Sequence, residues 1–234
     1  MAVEYAAAPD RSVSLSVSGL GCLRGGKVLF RDLGFVLERG QALVVNGANG
    51  AGKSSLLRSL AGLLPWRAGQ LQWCGQTLKS TDAAYAQSLA YLGHHGGMSD
   101  TLTGLENLRF ALTLAGAPWD VDHVLQVLQR LALQGVASRP LGRLSQGQRR
   151  RLALARVWLS QRPLWLLDEP DNSLDGEGCQ LLVQMLEQHL ESGGMAVVVS
   201  HRGLALAPQR TQTLSLSAVA ERSPSRPVRE AASC

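Results

Sequence analysis

The spacing of hydrophobic and polar positions changes several times along this chain, and each change predicts an element. Residues 13–17 alternate polar and apolar side chains, as a half-buried strand does. A turn follows at Gly25-Gly26, and residues 34–38 give a second strand, so the opening reads as an antiparallel hairpin region. Residues 41–46, apolar from Ala42 to Val45, read as a buried strand, and residues 55–61 read as a helix closing near Gly62 and Pro65. Short strands are predicted at 69–73, turning at Cys74-Gly75, and at 90–93, running into the loop His94-His95-Gly96-Gly97. Residues 103–114 and 121–133 carry apolar side chains at helical spacing, separated by Gly116 and Pro118. A helix over 149–159, a buried strand at 163–168, a helix over 176–191 and strands at 195–200 and 211–217 complete the pattern. Strands alternating with helices predict an α/β fold with a mainly parallel sheet, and the stretch from about 96 to 156 reads as a helical insertion. No internal repeat is seen. Residues 1–12 form an N-terminal extension, 13–217 the folded domain, and 218–234, with Pro224 and Pro227, a loosely ordered tail.

Candidate chemistry sits where these elements meet. Gly47, Ala48, Asn49, Gly50, Ala51, Gly52, Lys53 and Ser54 match the pattern G-x-x-x-x-G-K-[ST], between a predicted strand and a predicted helix. Glycines let backbone N–H groups curl around phosphate oxygens, and the helix N-terminus adds its positive dipole end. Lys53 brings a charge to the β/γ-phosphates, and the Ser54 hydroxyl can ligate Mg²⁺. A glycine-rich turn with no ligand is the plain alternative. The motif between strand and helix favours a nucleoside triphosphate. The strand at 163–168 ends in Asp168 and Glu169. Asp168 is placed to hold Mg²⁺ through water, and Glu169 to polarise an attacking water as general base. Ser145, Gly147 and Gln148 open the helix that follows, either as a second anion site or as a simple helix cap.

Composition narrows the picture without naming a function. The chain has 234 residues, 45% hydrophobic and 18% charged, which suits one globular domain with a substantial core. Its net charge of +5 rests on arginine, because Lys27, Lys53 and Lys79 are the only lysines. The basic residues are dispersed except at Arg149-Arg150-Arg151, which is poor support for nucleic acid and suits an acidic membrane surface or partner equally. No apolar run approaches the ~20 residues that cross a bilayer. Residues 1–5 lack a basic segment followed by an apolar one, so no secretory signal is expected. Cys22, Cys74, Cys179 and Cys234 are scattered without metal-site spacing, which suggests free thiols in a reducing compartment. Cys234 is the last residue and makes no prenylation box.

The order of these motifs resembles that of the ATP-binding cassette (ABC) ATPases over roughly residues 13–217. Leu144-Ser145-Gln146-Gly147-Gln148 is similar to the family signature, with Gln146 in place of a glycine. Asn172-Ser173-Leu174-Asp175 looks like the D-loop, and His201, after the strand at 195–200, matches the switch histidine. The resemblance implies a P-loop ABC ATPase with a mainly parallel core sheet, an N-terminal antiparallel β subdomain and a helical subdomain. It implies a head-to-tail dimer in which each ATP lies between the phosphate loop of one subunit and Ser145 and Gly147 of the other, with Asp175 near the interface. It also implies that His201 touches the γ-phosphate and helps orient water; taken alone, a histidine after a strand is more often a surface or core residue. Two positions depart from the family. His94 stands where a glutamine usually senses Mg²⁺, and Arg24 stands about where an aromatic residue stacks on adenine. A neutral imidazole can accept from metal-bound water. Arg24 reads two ways, as a guanidinium stacked on the base or as a side chain in solvent.

Residues 91–94, 106–110, 154–159 and 164–170 further resemble the ATPase subunit of the cytochrome c biogenesis haem exporter (CcmA-like), a group in which histidine is common at position 94. That resemblance implies ATP hydrolysis coupled to haem export or release from a periplasmic haem chaperone. It implies integral membrane partners of the CcmB and CcmC type, a peripheral position on the cytoplasmic face of the inner membrane, no nucleic acid, and no direct haem binding, consistent with the absence of C-x-x-C-H. The competing expectations are the ATPase of another ABC transporter, and a soluble ABC protein of translation or DNA repair. The latter normally carries two cassettes or a long coiled-coil insertion, and this chain has neither. A non-catalytic scaffold would be favoured by a missing Glu169, which is present.

Overall fold

A computed structural model describes residues 14–79, 82–94, 96–201 and 203–217; the 1–12 extension, Val13, His95 and the 218–234 tail lie outside them. The N-terminal strands β1 (Ser14–Arg24) and β2 (Lys27–Glu38) pair antiparallel around the Gly25-Gly26 turn. Strand β3 (Ala42–Gly47) leads into helix α1 (Lys53–Leu60). Strands β4 (Ala68–Trp73) and β5 (Gln76–Thr77) then complete an antiparallel sheet of order β2-β1-β4-β5. The second sheet adds β6 (Leu89–Leu92), β7 (Leu164–Asp168), β8 (Met195–Val199) and β9 (Thr211–Leu216) to β3, all parallel, in the order β6-β7-β8-β3-β9.

Strands β1 and β2 run further than the alternation at 13–17 and 34–38 predicts. Register shifts between Val17 and Leu20, and again between Leu20 and Cys22, break the two-residue period, so the pattern reads as ended where the strand is only bulged. The two-residue β5 and the five-residue helix α2 (Ala83–Gln87), capped by Asp82, were not predicted; neither is long enough to show a period. Helix α3 (Gly104–Leu114) begins at a capping box of Thr103 and Glu106. Helix α4 (Val121–Arg130) stops before the predicted residue 133, because Ala132 takes a left-handed φ of 52° while Leu131 and Leu133 remain buried. Apolar spacing there continues past the helix because the core does. Helices α5 (Gln146–Leu159) and α6 (Gly176–Glu191) follow.

The parallel sheet separates two hydrophobic cores. Val44, Leu92, Trp165, Leu167 and Val198 face helices α3 to α6. Leu43, Val45, Leu166, Val197 and Val199 face α1 and the antiparallel sheet. Both faces are covered at the centre of the sheet, so β3, β7 and β8 are near-continuous apolar runs, while the edge strand β9 is mostly polar and half exposed. In the first core the Trp165 and His189 rings stack with centroids 3.7 Å apart. His189 Nε2 donates to the Met195 carbonyl at 3.0 Å, and burial pushes the imidazole pKa down to about 4. Gly194 makes room for this stack, since a Cβ there would lie 2.2 Å from the imidazole Cε1. Among the described residues no helix is long and apolar enough to cross a membrane.

Candidate functional site

The phosphate loop, His94, Asp168, Glu169 and His201 lie at or just after the carboxyl ends of β3, β6, β7 and β8, where open α/β sheets place their ligand sites. Gly47 ends β3 with φ 145°, and a Cβ there would lie 2.3 Å from the Leu216 carbonyl oxygen of β9. Ala48, Asn49 and Gly50 form an exposed rim, while Ala51 is buried. Gly52 caps α1 in the left-handed region, φ 98°, with no side-chain hydrogen bond to the helix amides. A Cβ at Gly52 would meet Leu29 Cβ at 3.1 Å and Phe30 Cδ1 at 3.2 Å, so β2 packs on the loop. Lys53 is buried, and its Nζ donates to the carbonyls of Gly47 at 2.7 Å and Ala48 at 3.0 Å. The ammonium is thereby held inside the curve of the loop, a fixed positive centre for phosphate.

Ser54 Oγ donates to Asp168 Oδ1 at 3.0 Å, joining the first turn of α1 to the end of β7. Asp168 is buried; desolvation raises its pKa, and the Ser54 hydrogen bond opposes that rise. A hydroxyl beside one carboxylate is a hard-oxygen pair that suits Mg²⁺. No group of three or more His, Cys, Asp or Glu side chains capable of holding a metal occurs among the described residues. The pair therefore fits an ion whose remaining ligands come from phosphate and water.

Glu169 follows β7 with φ 50°, a left-handed conformation that costs a non-glycine residue about 1 kcal/mol. Its N–H donates to the Val199 carbonyl at 2.9 Å. Its Oε1 lies 3.2 Å from His201 Nε2, and its Oε2 accepts from Asn172 Nδ2. The carboxylate, the histidine and the D-loop asparagine thus meet at the mouth of the sheet.

At the start of α5 the arrangement is self-contained. Ser145 Oγ accepts from the Gln148 N–H at 3.2 Å, and Gln148 Oε1 accepts from the Ser145 N–H at 3.0 Å, a closed capping box. A Cβ on Gly147 would lie 3.0 Å from the Ser173 carbonyl oxygen, so this glycine lets α5 approach the D-loop. Asp175 caps α6 through Gly178 N–H at 2.8 Å. An open cavity of about 370 Å³ is lined by His94, Gln146, Arg150, Asn172 and Ser173 among others. The structure thus places His94 beside the signature and the D-loop. Among the described residues, no hydrogen bond joins Ser145, Gly147 or Gln148 to the phosphate loop or to Glu169. Arg24 is exposed at the β1–β2 turn.

The arginine run does not form a basic patch. Arg149 pairs with Asp100 at 3.0 Å and donates to the carbonyls of Leu144 and Gly142, and Arg151 donates to the Leu131 carbonyl. Arg150 turns inward and donates to the carbonyls of Gly93, Asp168, Glu169 and Pro170. Asp171 is also buried, and its Oδ2 accepts from Ser200 Oγ at 3.0 Å. Neither contact is predicted from the sequence; an aspartate after a proline carries no signal of its partner, and a run of three arginines carries no signal of which one turns inward.

A phosphate loop bonded to an acidic strand end, with a signature helix, a D-loop and a switch histidine in order, defines an ATP-binding cassette ATPase. A family model described as "ABC transporter" matches residues 30–172. Among curated relatives, the "Cytochrome c biogenesis ATP-binding export protein CcmA" of Bordetella bronchiseptica is 50% identical over 202 residues, covering 86% of this chain and 89% of that protein. The protein of the same name from Cupriavidus necator is 46% identical, covering 87% and 88%. A solved structure described as the ATP binding subunit of an ABC transporter superposes with a TM-score of 0.76 at 24% identity over 87% of both chains. A putative ABC transporter ATP-binding protein from Pyrococcus furiosus superposes with a TM-score of 0.77 at 20% identity, over 87% of this chain and 97% of that one. The chain belongs to the CcmA family of ABC transporter ATP-binding proteins. It binds a nucleotide and is the ATP-hydrolysing subunit of an ABC transporter.

Proposed function

We propose that this chain drives haem export, or release of haem from its chaperone, during maturation of c-type cytochromes. The observation that carries this reading is its 50% identity, over 86% of its length, to a CcmA protein named for cytochrome c biogenesis. The hydrolytic side chains support it in kind. Residues 47–54 cradle the ATP phosphates, Lys53 neutralises β/γ charge, and Ser54 and Asp168 hold Mg²⁺, with His94 assigned to metal placement or coupling. Bound Mg²⁺ supplies charge neutralisation on the transferring phosphoryl group. Glu169 takes the proton of the attacking water as general base, and His201, 3.2 Å from it, orients that carboxylate and the γ-phosphate. Ser145, Gly147 and Gln148 complete the site of a second copy in a nucleotide-sandwich dimer.

Integral membrane subunits of the CcmB and CcmC type are the proposed partners, and the cytoplasmic face of the inner membrane is the proposed location. Within the domain at 13–217, the helical subdomain at about 96–156 offers the docking surface, because Phe110, Leu114, Val121 and Leu125 are each more than half exposed there. Haem and nucleic acid are not assigned as ligands of this chain. Replacing the gene with its Glu169→Gln form tests the role: c-type cytochromes, seen by haem staining, disappear while b-type cytochromes persist. Normal c-type levels would eliminate the haem-export reading.

A further inference from the structure

Arg150 lies in the second turn of α5, five residues after Ser145, and belongs to none of the nucleotide motifs. Its guanidinium is buried. Nε donates to the Pro170 carbonyl at 3.2 Å, Nη1 to Gly93 at 3.2 Å, and Nη2 to Asp168 and Glu169, both at 2.6 Å. Three successive carbonyls therefore converge on one planar cation. An extended strand points successive carbonyls to opposite sides, so this convergence needs the left-handed turn at Glu169, φ 50°. The turn needs the cation in return, since buried carbonyl dipoles left without donors are costly. The negative side chains that face Arg150 are Asp168, Glu169 and Asp171. Asp171 accepts in turn from Ser200, the neighbour of His201, so the same turn is tied to the end of β8. The Gly93 bond reaches the residue before His94.

We propose that Arg150 is a positioning residue for ATP hydrolysis: it fixes the Glu169 turn and transmits the position of the signature helix to that carboxylate. Ser145 and Arg150 ride on one rigid helix about 7 Å apart along its axis. Any displacement of the Ser145 end when a second copy docks is carried to the four carbonyls by the guanidinium. Lysine cannot take over, because one ammonium is a point donor and cannot span a fork of four acceptors. The proposal rests on Glu169 being the general base.

The test is a double-mutant cycle on the full chain, both purified and in native membranes. Arg150→Lys is expected to lower kcat at least tenfold while nucleotide affinity stays within threefold and the thermal midpoint moves by only a few degrees. In a Glu169→Gln background the same change is expected to lower residual single-turnover hydrolysis no further, because the group it positions is already lost. An equal loss in both backgrounds, or a loss of nucleotide affinity matching the loss of kcat, overturns the proposal. If Arg150→Lys does not fold, Arg150→Gln removes the buried charge and is read by the same criteria. Near-normal turnover in Arg150→Lys with Glu169→Gln inactive overturns the positioning role alone. Near-normal turnover in Glu169→Gln overturns the general-base reading and the positioning role with it.

Discussion

Two helix starts carry the nucleotide motifs, and they are finished to different degrees. Helix α1 begins at a left-handed glycine whose cap uses no side chain, beside a lysine already drawn into the loop by two carbonyls. Helix α5 begins at a serine and a glutamine whose polar groups bond each other. Open amides with a fixed cation make a phosphate site within one subunit. In the closed capping box the Ser145 and Gln148 amides are already taken, and Ser145 Oγ accepts from one of them, which leaves the hydroxyl proton as the group to donate to an outside phosphate. A single subunit therefore has its phosphate cradle preformed, whereas the role proposed for the second helix start needs the phosphates of a partner copy.

The sharpest way to break this contrast is Lys53→Ala. It removes the charge and both ties to the loop, and nucleotide affinity should fall by ~100-fold, about 2.7 kcal/mol. Fluorescence titration of the isolated subunit measures it; affinity within threefold of the parent would mean that Lys53 is not the phosphate centre. Ser145→Ala should act more gently and elsewhere. Nucleotide affinity of the single subunit stays within about threefold, the helix loses about 1 kcal/mol of capping stability, and turnover with ATP-dependent dimerisation falls. A comparable loss of affinity in the single subunit would erase the distinction between the two helix starts.

The smallest effect on activity probes the scaffold both helix starts share. His189 is buried as the neutral imidazole, with a pKa of about 4 against 6.5 in the unfolded chain. Between those values the unfolded chain binds more protons, so stability is complete above pH 6.5 and is lost as pH falls through 4. The difference, 6.5 − 4, corresponds to about 3 kcal/mol. His189→Phe keeps a ring against Trp165 and should flatten the fall of the thermal midpoint between pH 6.5 and 4, with nucleotide affinity at neutral pH unchanged. An equally steep fall in the variant would assign the acid sensitivity to other groups.

The phosphate loop and the acidic strand end were legible because both are local: eight adjacent residues, and two carboxylates closing an apolar strand. The central parallel strands β3, β7 and β8 are legible because both their faces are buried. What sequence could not show lies in contacts across the chain. Arg150 and Pro170 are twenty residues apart, and Ser200 and Asp171 twenty-nine. No local pattern announces such pairs, and the neighbours of Arg150 are themselves partly buried and tied to Asp100 and to backbone carbonyls. Gly147 had a family reason in sequence and a second one in space, the Ser173 carbonyl. The long strands β1 and β2 were read short because bulges interrupt the alternation that reveals strands.

The contact between Gly47 and Leu216 has a consequence for synthesis on the ribosome. Strand β3 is flanked by β8 and β9, and the Leu216 carbonyl fills the space where a side chain at Gly47 would be. The loop that opens the nucleotide motifs is translated in the first quarter of the chain, and its two neighbouring strands come near the last. A nascent chain halted before Leu216 has the complete motif in its sequence but lacks the wall behind it. A fragment truncated before residue 211 should leave β3 with an unpaired edge.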